Sequence, residues 1–409
     1  MRIAFVSSYP PTNCGIASYT QNLVEALRLL DPTLRVTMIA EMLPHDVSST
    51  DRGRRLGFCT DDDYVVDLLR QVDRSEADVV HVQHEFGLFG MDRRFLDLLA
   101  GLQRRRVKTV VTLHSVHTHL SIDLGCAWWR GRPPMRDLDI ETYQREMVEL
   151  ADHTIVHQEL PIRDVLLRQG APPDRVVTIP HGTRILPTPS REVSRRALGL
   201  DPGPPLVVSF GFFEPSKNLM TLLEAIALTK DEIADVKLWA GGYIRHPSPA
   251  VAGYRERCSQ AVTRLGLKGS VIIADTPLPE SRVPTLFGAA DVACFIYDED
   301  TRSSSGAAHT ALGFGVAPVA SRISKFSELA EVSDEILVDP NSPEETARLL
   351  IRLIQDDVFR HGIETSAQRF AARTSWDVVA KAHIRLYEER LLRYEDRDWS
   401  RKAETLVSG

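Results

Sequence analysis

A lysine held just ahead of a helical stretch, in Gly211-Phe-Phe-Glu-Pro-Ser-Lys217-Asn218, suits a diphosphate, because its ammonium and the helix N-terminus act on the same oxygens. A second place of this kind is Ser303-Ser304-Ser305-Gly306, which follows an apolar strand and opens a short helix ending at Gly315. Small residues there let a ligand approach the backbone, and the free N–H groups attract anions. Gly15 is a third: it closes the proline-bearing loop Ser7-Ser-Tyr-Pro-Pro-Thr-Asn-Cys-Gly15 before a helical stretch at Ile16–Leu30. Read as bare structure, these are rigid turns, a capped helix and a solvated lysine.

Other chemistry-bearing residues cluster after two strands. One runs into His114-Ser-Val-His117-Thr-His119, and an earlier one ends in His81-Val-Gln-His84-Glu85. Three close histidines are of metal-ligating type, but no carboxylate or cysteine partner stands at a recognised spacing. Hydrogen bonding to sugar hydroxyls is the more economical role for His114, with His84 placed on the acceptor side. The long connection Ser115–Arg136 carries Trp128-Trp129, flat faces able to stack on a sugar ring, to rest at a membrane interface or to pack the loop onto its own domain.

These residues need a scaffold. The chain has 409 residues, too many for one ordinary core, and two domains are expected. Hydrophobic residues at 43% and charged residues at 26% exclude disordered and fibrous classes, and a net charge of −7 argues against a protein that coats nucleic acid. Five scattered cysteines without Cys-x-x-Cys spacing indicate neither a disulfide framework nor a structural zinc site. The expected location is the cytoplasm, with peripheral contact at the inner face of the membrane left open, since no signal peptide or spanning stretch is visible.

Short apolar runs alternate with helix-period segments through both halves. In the first they are Arg2–Val6, Leu34–Ala40, Asp78–Val82, Lys108–Leu113, His153–Val156 and Val176–Ile179; the second series runs from Leu206–Phe210 to Ile336–Val338. The pattern predicts α/β architecture with two doubly wound parallel sheets. Proline and glycine density between Pro187 and Pro205 marks the boundary. The expected division is residues 1–187, 188–375 and a tail, 376–409, in which an amphipathic helix presents Val378, Val379, Ala382, Leu386 and Leu391 and crosses back to the first domain.

Several stretches together resemble the retaining glycosyltransferase family four: Tyr9-Pro-Pro11 to Gly15, Ala77-Asp78, Val111-Thr-Leu-His114, Ala151-Asp152, Ile179-Pro-His-Gly182, Gly211 to Lys217, Ala289-Ala-Asp291, Glu328-Leu329 and Ser375-Trp376. The resemblance extends over nearly the whole chain. It implies the GT-B fold, two Rossmann-like domains facing across a cleft, with acceptor binding mainly N-terminal and donor binding C-terminal. It implies retaining, metal-independent transfer of a hexosyl group from a nucleotide diphosphate sugar, a co-substrate rather than a cofactor, to a glycan, lipid-linked or small-molecule acceptor. It also implies that Gly15, Gly211 and Lys217 approach the diphosphate and that His114 approaches the sugar.

Two departures qualify this. The family's arginine after the glycine of the lysine loop is replaced by Phe212, and Arg302 and Thr310 stand where the family has a pair of glutamates. Ser304-Ser305-Gly306 is similar to a subgroup with Ser-Ser-Gly in this segment. Arg302 is the expected replacement for the missing cation, through its planar fork, and joins Lys217 and His114 as a catalytic candidate. Two other readings stand beside this one. The chain is a degenerate sugar-nucleotide-binding subunit, or Asp298-Glu-Asp300 holds a divalent ion under the diphosphate as in single-domain GT-A transferases. Residue types around Asp275-Thr-Pro-Leu278 do not choose the donor base.

Overall fold

The computed structural model describes residues 1–12, 14–41, 55–58, 64–90, 92–118, 139–243, 249–274, 276, 278–299 and 303–392. The chain divides into two compact units, one built on Met1–Gly182 and Trp376–Gly409, the other on Thr183–Asp300 and Ser304–Ser375.

The first unit holds seven parallel strands among the described residues: β1 (Arg2–Ser7), β2 (Arg35–Glu41), β3 (Arg55–Phe58), β4 (Val79–His84), β5 (Lys108–Leu113), β6 (His153–Val156) and β7 (Val176–Thr178). Their order is β3-β2-β1-β4-β5-β6-β7. The second holds six: β8 (Leu206–Phe212), β9 (Lys237–Tyr243), β10 (Val271–Ala274), β11 (Val292–Phe295), β12 (Ala317–Ser321) and β13 (Leu337–Val338), in the order β10-β9-β8-β11-β12-β13. Both are doubly wound Rossmann-like sheets. The edge strand β3 is unanticipated, because Arg-Leu-Gly-Phe has no strand-like apolar run.

Each sheet reverses its strand order once, between β1 and β4 and between β8 and β11, and ligand sites in such sheets lie beyond the carboxyl ends at that reversal. The loops that carry Gly15, Lys217 and Ser305 all leave those strands.

Aspartates set the strand starts. Asp78, Asp152 and Asp291 each precede a strand and accept the N–H of a residue beginning the neighbouring one: Arg2 at 2.7 Å, Thr109 at 2.8 Å and Leu206 at 2.7 Å. A backbone donor at the start of an interior strand is thereby satisfied. Asp291 also receives the buried Arg195 at 2.7 Å, which fixes the segment leading into β8.

The first sheet buries both faces. Alternation along β1 sends Ile3 and Phe5 to a core with Tyr19, Leu23 and Val379, and Ala4 and Val6 to one with Leu68, Phe95 and Leu99. The first of these cores is completed by the C-terminal helix Trp376–Arg385 and its continuation Leu386–Leu392. Its buried stripe is Trp376, Val379, Ala380, His383, Leu386, Tyr387 and Leu391. Val378, expected in that stripe, is 41% exposed, because helical periodicity turns it off the face. Among the described residues no helix is long and apolar enough to cross a membrane.

Candidate active site

In the second unit, β8 delivers the lysine loop. Gly211 has φ +150°, and a Cβ there would lie 3.2 Å from the Tyr297 hydroxyl, so glycine meets both a backbone and a space requirement. The chain turns through Pro215–Lys217, and Asn218 adopts a left-handed conformation at φ 44° before the helix Leu219–Glu232. The Asn218 side-chain amide donates to the Pro340 carbonyl at 2.9 Å and holds that turn. The neighbouring loop is tied to it, since the Asp298 N–H donates to the Ser216 carbonyl at 2.9 Å.

The two loops bring charge together. Lys217 Nζ lies 3.3 Å from Glu299 Oε1 and 4.0 Å from the centre of the Tyr297 ring. Lys325, from the turn after β12, reaches the same Glu299 oxygen at 3.1 Å. These side chains are 19%, 16% and 11% exposed for Lys217, Glu299 and Lys325. Burial pushes the Glu299 carboxyl up, but Lys325 and Lys217 outweigh it and hold its pKa below the usual range. The carboxylate is thus ionised at neutral pH, clamped between two cations.

Beside it begins the helix Gly306–Gly313, whose N-cap Ser305 accepts the Ala308 N–H at 3.3 Å and bonds the Tyr297 hydroxyl. Gly306 is exposed at the helix start; Ser303 and Ser305 are buried and Ser304 half-buried. The Thr310 hydroxyl donates to the Gly306 carbonyl at 2.8 Å, within its own helix. Arg302, like Asp300, lies outside the described residues.

Sequence reasoning missed Lys325 and Tyr297, and noticed Glu299 only as the middle of Asp-x-Asp. One signal pointed to Lys325: it follows a strand of the same sheet adjacent to β11, at the edge where ligands bind.

In the first unit, Gly15 is exposed at the start of the helix Gly15–Leu30, where Cys14 Sγ accepts the Ala17 N–H at 3.2 Å. His114 follows β5 and is half-buried, with Nε2 2.8 Å from Gln83 Oε1 and Nδ1 3.4 Å from His157 Nε2. Burial, then His157 and His84, pushes its pKa well below the usual imidazole value, so the ring is neutral.

His84 is placed differently from the acceptor-side expectation. It continues the Val80, Val82 face of β4 into the core, with ring centres 4.4 Å from Phe95, 4.9 Å from Phe86 and 5.7 Å from Phe89. It is fully buried and neither ring nitrogen has a hydrogen-bond partner. Trp128 and Trp129 lie outside the described residues, as does His119. His117 is buried, its backbone held by Gln144 and Gln169. Among the described residues no three metal-ligating side chains converge.

Two family models match the chain, one to each unit: "Glycosyltransferase Family 4" over residues 14–185 and "Glycosyl transferases group 1" over residues 204–356. The paired Rossmann-like sheets are those of the GT-B fold, and each unit is similar to a glycosyltransferase model. Among curated relatives, the D-inositol 3-phosphate glycosyltransferase of Corynebacterium glutamicum (strain R) is 26% identical over 254 residues, covering 60% of this chain and 59% of that protein. The chain thus spans about three fifths of the length of such relatives. Among solved structures, sucrose-phosphate synthase from Thermosynechococcus elongatus aligns with a TM-score of 0.72 at 18% identity, over 95% of this chain and 98% of that one. Anabaena HepE in complex with UDP-glucose aligns at 0.70 and 17% identity, over 93% and 98%.

Proposed function

We propose that the protein is a retaining, metal-independent glycosyltransferase that moves a hexosyl group from a nucleotide diphosphate sugar to an acceptor hydroxyl. The observation that carries this is the convergence of Lys217 and Lys325 on Glu299 beside the Ser305–Gly306 helix start, at the order reversal of the second sheet. Cations, a helix N-terminus and a glycine-opened backbone are what a diphosphate requires. The HepE structure with UDP-glucose and the glycosyltransferase names of the relatives support a sugar-nucleotide donor.

In the mechanism proposed, the bond from the anomeric carbon to the diphosphate oxygen breaks, and the acceptor oxygen bonds that carbon on the same face. The acceptor's proton passes to the departing phosphate oxygen. Negative charge grows on the diphosphate, and Lys217, Lys325 and the Gly306 N-terminus supply preorganised stabilisation for it. Phe212 removes the family's arginine, and Lys325 supplies a cation in its place; Arg302 is proposed as a further one. Gly15 and His114 keep the diphosphate and sugar roles that the resemblance gives them, and Trp128 and Trp129 are proposed for the acceptor. The acceptor class is a glycan, a lipid-linked glycan or a small molecule such as a phosphorylated cyclitol.

The test is a panel of nucleotide sugars assayed for sugar release and transfer, with the product anomer read by NMR. Release from one donor and a product of unchanged anomeric configuration are expected. Binding without any turnover across donors and acceptors would overturn the reading in favour of a non-catalytic subunit.

A further inference from the structure

One buried side chain, Tyr297, touches all three elements of the second unit that surround the diphosphate site. It lies two residues past β11 and is 3% exposed. Its ring face carries the Lys217 ammonium, with Nζ 4.0 Å from the ring centre. Its hydroxyl bonds Ser305, the N-cap of the helix Gly306–Gly313, and stands 3.2 Å from where a Cβ on Gly211 would lie. Its ring centre is 5.0 Å from that of Phe326, the residue directly after Lys325. Glycine at 211 leaves room for the hydroxyl, and the contact with Ser305 pins that end of the ring.

The contact of Lys217 with this ring differs in kind from its contact with Glu299. Burial, then Glu299, pushes the Tyr297 phenol far above its ordinary pKa, so the ring stays neutral. A neutral ring face attracts an ammonium through its quadrupole, and the attraction grows where water is excluded, as around this lysine at 19% exposure. An ammonium has three N–H donors, and one of them meets Glu299 at 3.3 Å. The ring face attracts the charge but offers no oxygen acceptor, so it does not compete with a phosphate for strong hydrogen bonds. Glu299 does compete, being an anion on the same donors.

We propose that Tyr297 is a positioning residue of the donor site, its ring face keeping the Lys217 ammonium beside the Gly306 helix start while a diphosphate binds. When the diphosphate draws the ammonium away from Glu299, the ring is the contact that still fixes its place. The functional half of this rests on the assignment of Lys217 to the diphosphate; the placement of the lysine does not.

The experiment uses the full chain. One measurement is NMR with 13C-lysine, the Lys217 side-chain signals being assigned through the Lys217→Ala spectrum; the other is calorimetric binding of UDP, GDP, ADP and dTDP. In the wild type the Lys217 Cε protons should resonate upfield of those of other lysines, because the ammonium beside them lies over a ring face. Tyr297→Leu should return them to the ordinary position and weaken the best-bound diphosphate about tenfold. Tyr297→Phe, which keeps the face and loses only the hydroxyl, should keep the upfield signal and bind within about threefold of the wild type. A wild-type signal at the ordinary position would overturn the proposal. So would a Leu variant that binds as the wild type does, or a Phe variant weakened about tenfold. If Tyr297→Leu fails to fold, the wild-type signal and the Phe variant still decide it. Failure of all four diphosphates to bind the wild type would overturn the donor reading and the functional half of this proposal with it, and an upfield signal would then uphold the Lys217 placement alone.

Discussion

Lys217 and Lys325, from loops after two different strands, place their ammonium nitrogens 3.3 and 3.1 Å from one oxygen of Glu299. A carboxylate between two lysines keeps both cations at a shared point while no phosphate is present, and a diphosphate offers each a stronger partner. Lys217→Ala and Lys325→Ala should each lower donor kcat/KM roughly a hundredfold, the scale of losing one preorganised donor to a developing anion. Steady-state kinetics with the identified donor decides this. A loss below about threefold in either variant would remove that lysine from the site.

His84 makes the first unit acid-sensitive. Its pKa falls from an ordinary 6.5 to about 3, through burial first and His117 second. Between those values the unfolded chain binds a proton that the native chain does not, so stability is full above the ordinary value and is lost as pH falls through the window. His81 and His114 are shifted the same way, and His383 to about 4. Urea midpoints should therefore drop steeply from neutral to acidic pH. His84→Leu should flatten that slope, raise stability at neutral pH and leave transfer within about twofold, because it removes an unpartnered polar ring from an aromatic core. A large loss of transfer would return His84 to the acceptor side.

Gly182 and Trp376 explain two of the sequence signatures together. A Cβ at Gly182 would lie 2.3 Å from the Trp376 ring, which belongs to the core shared by Tyr19 and Val379. Gly182→Ala should destabilise the protein by about 1–3 kcal/mol and expose the C-terminal helix to limited proteolysis. Wild-type thermal stability and protease resistance would contradict this packing.

Metal independence is tested by turnover in excess EDTA. Activity should persist undiminished, because lysines and a helix start take the charge that a cation would. Loss of turnover restored by a divalent ion would instead bring back Asp298 and Asp300.

The repeat of strand and helix was legible because parallel strands buried on both faces read as continuous apolar runs, and every predicted strand is present within a residue or two at its ends except β9, which runs three residues further, to Tyr243. The Lys217 loop and the Ser305 N-cap were legible for the same local reason: turn and cap chemistry is written in adjacent residues. Lys325 was not, since its meeting with Lys217 depends on β8, β11 and β12 lying side by side. His84 shows the complementary failure. A strand-terminal histidine looks functional, but only the register of β4 tells which face it takes, and there it follows Val80 and Val82 inward.

The most direct test of the donor site is thermal stabilisation by a panel of nucleoside diphosphates and their sugars, run on the wild type, Lys217→Ala and Lys325→Ala. One base should raise the wild-type melting temperature by about 3 °C or more at saturating ligand. That shift should collapse in both variants, each compared with its own ligand-free melting temperature. No stabilisation by any nucleoside diphosphate, or an equal shift in all three proteins, would contradict a diphosphate held by Lys217 and Lys325.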